Sequence, residues 1–104
     1  DLFLEKLNTV LEKHYEDSEL NVKDLAQILH LSHQQFYRKL KALTDQTPNR
    51  YLRTFRLNKA KALLIADNDL NVSEIAYKMG FDNPSYFSRI FSEAFGVSPN
   101  GVRK

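Results

Sequence analysis

The 104-residue sequence reads as an all-α protein, and three observations predict this. Apolar residues recur at helical spacing along almost the whole chain. Only three Gly and three Pro are present, too few for long irregular connections. Each apolar segment after the first is also preceded by a residue suited to cap a helix N-terminus, so the starts can be placed one by one.

Phe3, Leu7, Val10, Leu11 and Tyr15 form the apolar stripe of a first helix expected to end near Asp17 and Ser18. Asn21 with Asp24 reads as a capping box, opening a second helix whose apolar side is Leu25, Ala26, Ile28 and Leu29. Ser32 with Gln35 opens a third, which carries Phe36, Leu40 and Leu43 inward. Thr47 caps a fourth, and Pro48 fills its first turn, where no N–H partner is needed. That helix runs unbroken to about Ala66, roughly 28 Å at ~1.5 Å per residue. Asn71 with Glu74 opens a helix through Met79, Asn83-Pro84 another through Phe95, and Ser98-Pro99 a last short one. The expected total is about seven helices.

The chain repeats itself. Leu20-Asn21-Val22 recurs as Leu70-Asn71-Val72, followed by Asp24/Glu74, Leu25/Ile75 and Ala26/Ala76 at an offset of 50. One residue is gained in the turn, and the offset becomes 51 through Phe36/Phe87, Arg38/Arg89, Leu40/Phe91, Thr47/Ser98 and Pro48/Pro99. Each copy is a short capped helix, a tight turn and a second capped helix, the layout of a helix-turn-helix. Ala26 and Ala76 let the second helix cross closely. Gly80 suits a left-handed exit, with Phe81 plugging the turn; His30 and Leu31 take those places in the first copy. The expected organisation is therefore a first helix-turn-helix subdomain over residues 1–46, a long linker helix over 47–66 and a second subdomain over 67–104.

The second helix of each copy has a buried and an outer stripe. In the first copy Phe36, Leu40 and Leu43 point inward, and Gln34, Tyr37, Arg38 and Lys41 point outward. In the second, Phe87, Phe91 and Ala94 are the inner stripe, and Ser85, Ser88, Arg89 and Ser92 the outer. Any amphipathic helix has a polar outer face, but here one layout occurs twice with Arg at the matching place. Arg can bond guanine bidentately, Gln can pair with adenine, and Ser and Tyr can reach bases or phosphates.

Charge supports the same direction. The net +2 hides a net −4 over residues 1–31, +7 over 32–61 and −1 over 62–104. The central block is Arg38, Lys39, Lys41, Arg50, Arg53, Arg56, Lys59 and Lys61 against Asp45 alone, the footprint expected for a polyanion partner. Arg50, Arg53, Lys59 and Lys61 lie on the linker helix, within reach of phosphates. That helix is also close to the ~34 Å separating successive major grooves on one side of a duplex.

Other chemistry finds little support. There is no cysteine, which removes disulfides and thiolate sites and fits a reducing compartment. No apolar run approaches the ~20 residues of a membrane span. His14, His30 and His33 are the only histidines, and His30 and His33 straddle a turn instead of sharing a helix face. No nucleophile has a base at a matching spacing, so neither an enzyme nor a cofactor is expected. The alternative reading is a helical protein-interaction module. It requires an exposed apolar groove, whereas the aromatic residues fit core stripes.

Ile75-Ala76, Gly80-Phe81, Tyr86-Phe87, Arg89, Phe91, Phe95-Gly96 and Ser98-Pro99 resemble, in order and spacing, the signature of the AraC/XylS family of bacterial regulators. Arg56-Leu57, Ala60 and Leu63-Leu64 resemble its linker helix; Ser32, Tyr37-Arg38-Lys39-Leu40 and Thr47-Pro48 resemble its first unit. The first copy departs at His30 and Asp45, where that family often has Gly. The resemblance implies sequence-specific binding of double-stranded DNA by the output domain of a transcription regulator, with recognition helices near 33–43 and 84–95 in successive major grooves. It implies base contacts from His33, Gln34, Tyr37 and Arg38, and from Asn83, Ser85, Ser88 and Arg89. Ser32, Lys41, Thr47, Asn49, Arg50, Arg53, Ser92 and Ser98 are the expected phosphate contacts. Pro84 stands where some relatives carry a polar reader, which implies fewer bases read by the second unit.

Residues 38–44, with Phe3-Leu4, are also similar to output domains of two-component regulators, including hybrid sensor-regulators of gut bacteria. A fragment of a longer cytoplasmic protein is therefore expected, since the chain starts at Asp1. It would have a sensor or receiver domain upstream, dimerise through regions outside this chain, and have RNA polymerase as a further candidate partner.

Overall fold

The computed structural model describes residues 1–67 and 69–103. Its regular elements among these residues are helices: α1 Leu2–His14, α2 Val22–Ile28, α3 His33–Thr44, α4 Pro48–Ala66, α5 Val72–Lys78, α6 Pro84–Phe95 and α7 Pro99–Val102. They group into two units. The first holds Asp1–Tyr15 and Glu19–Phe55; the second holds Glu16–Ser18 and Arg56–Lys104. Each unit takes part of α4.

Local chemistry sets the starts. Asn21, Ser32 and Asn71 form reciprocal capping boxes with Asp24, Gln35 and Glu74. The Arg50 N–H donates to Thr47 Oγ1 at 3.2 Å, the Tyr86 N–H to Asn83 Oδ1 at 3.0 Å and the Gly101 N–H to Ser98 Oγ at 3.0 Å. Asp1 caps α1, accepting from the Phe3 N–H at 2.7 Å. The apolar pattern alone gives Asp1 no role; its carboxylate satisfies donors that α1 otherwise leaves open.

The two turns are built alike. The Leu31 N–H donates to the Ala26 carbonyl at 2.9 Å and the His30 N–H to Gln27 at 3.1 Å. In the second copy Phe81 donates to Ala76 at 3.0 Å and Gly80 to Tyr77 at 3.1 Å. This pair of bonds ends a helix through one left-handed residue. That residue is His30 at φ 58° in one copy and Gly80 at φ 93° in the other. The next exits match too, with Asp45 at φ 58° and Gly96 at φ 71°. His30 and Asp45 thus adopt the glycine conformation despite carrying side chains. The inserted residue of the second copy is Asp82, between the plug Phe81 and the cap Asn83.

In the first unit Phe3, Leu7, Leu11, Leu20, Val22, Leu25, Ala26, Phe36, Leu40 and Leu52 form the core, with Phe3 edge-on to Phe36. In the second, Phe81, Phe87, Phe91 and Phe95 stack in series, each ring within 5.6 Å of the next. Ile75, Ala76, Leu64 and Ala60 are fully buried around them.

Three residues expected inside are not. Ile28 and Leu43 are 43% and 44% exposed, and Ala94 is exposed. Each stands two positions before a left-handed residue, His30, Asp45 or Gly96 respectively. The apolar period continues into the last turn, but the chain leaves its partner helix there. Ile90 and Met79 fill the second core instead.

The first helix also ends earlier than expected, at His14. The carbonyl of Asp17 is taken by Arg56, whose Nη2 donates to it at 2.7 Å. Arg56, a member of the basic block in the sequence, is in fact only 8% exposed. Burial lowers its pKa, opposed by the Asp17 carboxylate, so its charge serves the fold. Arg103 acts similarly on the end of α4, donating to the Leu64 carbonyl at 3.2 Å and the Asp67 carbonyl at 2.6 Å.

Replacing Arg56 by Ala removes a buried side chain and its bond to Asp17, and is expected to lower unfolding free energy by about 1–3 kcal/mol in urea titrations. Gly80→Ala should cost about 1–2 kcal/mol because its φ is left-handed, and His30→Gly should be neutral or stabilising by up to about 1 kcal/mol. A marked drop in stability in His30→Gly would show that the imidazole itself supports the turn.

Candidate nucleic-acid interface

The outer face of α3 is a consequence of what the helix buries. With Phe36 and Leu40 turned into the core, residues 33, 34, 37, 38 and 41 face solvent. His33, Gln34, Tyr37 and Arg38 together line one open concavity of about 410 Å³. These are the four first-copy residues expected to meet bases. Among the described residues Arg38 has no hydrogen-bond or ion-pair partner, so its five N–H donors point to solvent.

The outer face of α6 is arranged differently. Ser85 and Arg89 are exposed and Ser88 is half-buried. Arg89 Nη1 lies 3.3 Å from Glu93 Oε1, and its guanidinium packs 5.2 Å from the centre of the Tyr86 ring. Asn83 already gives its oxygen to the cap of α6, which leaves its amide donors. Ser92 is half-buried and donates to the Ser88 carbonyl at 2.9 Å. Tyr86 and Glu93 are neighbours that sequence reasoning did not assign to this face. The signal existed: they stand three before and four after Arg89, the spacings at which helix side chains meet.

The expected phosphate contacts divide by environment. Asn49, Arg50 and Arg53 are exposed on the first turns of α4. Thr47, Ser32 and Ser98 have their hydroxyls at the N-termini of α4, α3 and α7, beside backbone N–H groups that favour an anion. Lys41 is exposed but pairs with Asp45 at 3.4 Å.

Two lysines of the basic block lie over aromatic rings. Lys39 lies 5.2 Å from the centre of the Phe3 ring, and Lys61 lies 4.6 Å from that of Phe95. Lys61, expected near phosphates, is spent on the core edge of the second unit because the aromatic face attracts its ammonium.

Elsewhere, a shallow groove of about 350 Å³ on the first unit is lined by Val10, Ile28 and Leu29 but also by Glu5, Lys6, Thr9 and His30. It is too mixed to be the apolar trough of a helix-docking module. Among the described residues no group of three His, Asp or Glu side chains could hold a metal, and no helix is long and apolar enough to cross a membrane.

Residues 25–104 match a family described as a helix-turn-helix domain. The HTH-type transcriptional activator RhaS of an Enterobacter species is 38% identical over 104 residues, covering 100% of this chain and 37% of the activator. Histidine kinase P4 of Formosa agariphila is 34% identical over 97 residues, which is 93% of this chain and 7% of the kinase. The chain thus spans only a minor part of these curated relatives. Among solved structures, the C-terminal domain of the two-component response regulator yesN from Fusobacterium nucleatum is similar at 28% identity with a TM-score of 0.89, covering 100% of both chains. The DNA-binding domain of AdpA, a global transcriptional factor in complex with a target DNA, is similar at 29% identity with a TM-score of 0.87, covering 96% of this chain and 88% of that one.

Because Asn83 caps α6, Asn83→Ala should cost about 1 kcal/mol of stability by thermal unfolding, whatever it does to ligand binding. Ser85→Ala, with no cap to remove, should leave the melting temperature unchanged.

Proposed function

This chain belongs to the AraC/XylS family of helix-turn-helix proteins, a family of transcription regulators and not of enzymes, and on that premise we propose that it is the sequence-specific, duplex-DNA-binding output domain of a bacterial transcription regulator. The observation that carries the reading is the face of α3. His33, Gln34, Tyr37 and Arg38 converge on one open concavity while the same helix buries Phe36 and Leu40. Such a face offers donors and acceptors to base edges without unfolding anything.

In this reading α3 and α6 enter successive major-groove segments. His33, Gln34, Tyr37 and Arg38 meet bases in one segment, and Asn83, Ser85, Ser88 and Arg89 in the other. Ser32, Lys41, Thr47, Asn49, Arg50, Arg53, Ser92 and Ser98 hold phosphates and fix the register. Residues 1–46 and 67–104 serve as the two reading subdomains and 47–66 as the spacer. The DNA-bound AdpA neighbour supports the mode of binding. The chain itself performs no catalysis.

The relatives also support a place within a longer cytoplasmic protein. The match to part of a histidine kinase and to a response-regulator C-terminal domain favours a sensor or receiver domain upstream. Dimerisation through that region and contact with RNA polymerase complete the proposal.

The test is selection of duplexes from a random pool, followed by anisotropy titrations at two salt concentrations. Arg38→Ala and Arg89→Ala should each cost about 1–3 kcal/mol on the selected duplex and relax its sequence preference. Equal costs on a random duplex would reduce both residues to phosphate contacts. Failure to enrich any sequence would overturn the function.

A further inference from the structure

Resting on that DNA reading, we propose that the two units divide the work unequally: the first supplies the phosphate clamp, and the second reads bases with almost no ionic hold of its own. The repeat makes the comparison direct, because position n of the first copy meets n+51 of the second from Ser32 onward.

Lys41, itself paired with Asp45 at 3.4 Å, corresponds to Ser92, whose hydroxyl is already given to the Ser88 carbonyl. Lys39 corresponds to Ile90, a core residue. Arg50 corresponds to Gly101. Both are the third residue of a helix opened by Thr-Pro or Ser-Pro, and the backbone N–H of both donates to the cap hydroxyl, at 3.2 and 3.0 Å. The cap is therefore retained and the cation omitted. Restoring it is obstructed, since a Cβ on Gly101 would come within 2.5 Å of Val97 Cγ2. The first copy has the unbranched Gln46 at that place. Arg53 corresponds to Lys104, outside the described residues.

Most of the described cations of the second unit are engaged. Arg89 is paired with Glu93, Arg103 with the carbonyls of Leu64 and Asp67, and Lys61 with the Phe95 ring. Arg56 is buried. Lys59 is half-buried, and Lys78, at the end of α5 where the helix dipole favours it, is exposed with no ion pair among the described residues. In the first unit Arg38, Arg50 and Arg53 are exposed and have no ion pair among the described residues. A recognition helix whose arginine is shared with a neighbouring carboxylate has less ionic hold of its own and gains from being tethered to a neighbour that already holds the duplex.

Salt titration of the 104-residue chain on a duplex recovered by selection tests this. Taking away one phosphate-neutralising cation should flatten the slope of log K against log salt by ~0.9. Arg50→Ala with Arg53→Ala should therefore flatten it by about 1.8 and weaken binding to selected and random duplexes alike. Both side chains are exposed, so the melting temperature should hold. Arg89→Ala should change the slope by well under ~0.9 while relaxing sequence preference. Glu93→Gln should steepen the slope and tighten binding several-fold, because it frees Arg89. The division is overturned if Arg89→Ala flattens the slope as much as the double variant, or if Glu93→Gln weakens binding. Those results leave the DNA reading intact. Absence of any preference for the selected over a random duplex in the wild-type chain would instead sink the DNA reading itself.

Discussion

The exit of α2 and of α5 through one left-handed residue is the constraint on which both units turn. With the bonds from Leu31 to Ala26 and from Phe81 to Ala76 made, the chain reverses within a few residues and the next cap follows at Ser32 or Asn83. The reversal packs α3 against α2 and α6 against α5, with Phe36 and Ala26 buried in one copy and Phe87 and Ala76 in the other. Once those rings are inside, helical geometry leaves the opposite face no choice but solvent. The reading surface is thus what remains of a helix after its core side has been committed.

The same turn is made with different materials. The second copy uses Gly80, which takes a positive φ without strain; the first uses His30, which does not. The first copy repeats this at Asp45, where the second has Gly96. A local strain of this kind persists only when the surrounding packing over-determines it. Leu31 over the α2 end and the edge-on contact of Phe3 with Phe36 are the packing available to do so.

Arginine and lysine serve several ends in this protein. Arg56 closes the segment after α1, Arg103 closes α4, and Lys39 and Lys61 cover aromatic rings. A basic block of net +7 therefore overstates what a polyanion would meet. Within that block, the arginines left exposed and without an ion pair among the described residues are Arg38 on α3 and Arg50 and Arg53 on the first turns of α4. Family membership supports DNA as that polyanion, and the repeat shows where the second unit lacks the same groups.

Helix starts, the two turns and the polar faces were legible in the sequence by itself, since each is decided between residues at most five apart: a cap and its third residue, a left-handed exit, a stripe every three or four positions. The convergence of His33, Gln34, Tyr37 and Arg38 followed from the same period. Which charges stay available did not follow. Arg56 finds its acceptor 39 positions away and Arg103 finds its two acceptors 39 and 36 away, so their engagement by the fold is a matter of packing. The apolar stripes, likewise, were readable, but where they cease to be covered at Ile28, Leu43 and Ala94 depends on where a neighbouring helix stops. Local hydrogen bonds write the elements into the chain; only tertiary contact decides which side chains each element has left to offer.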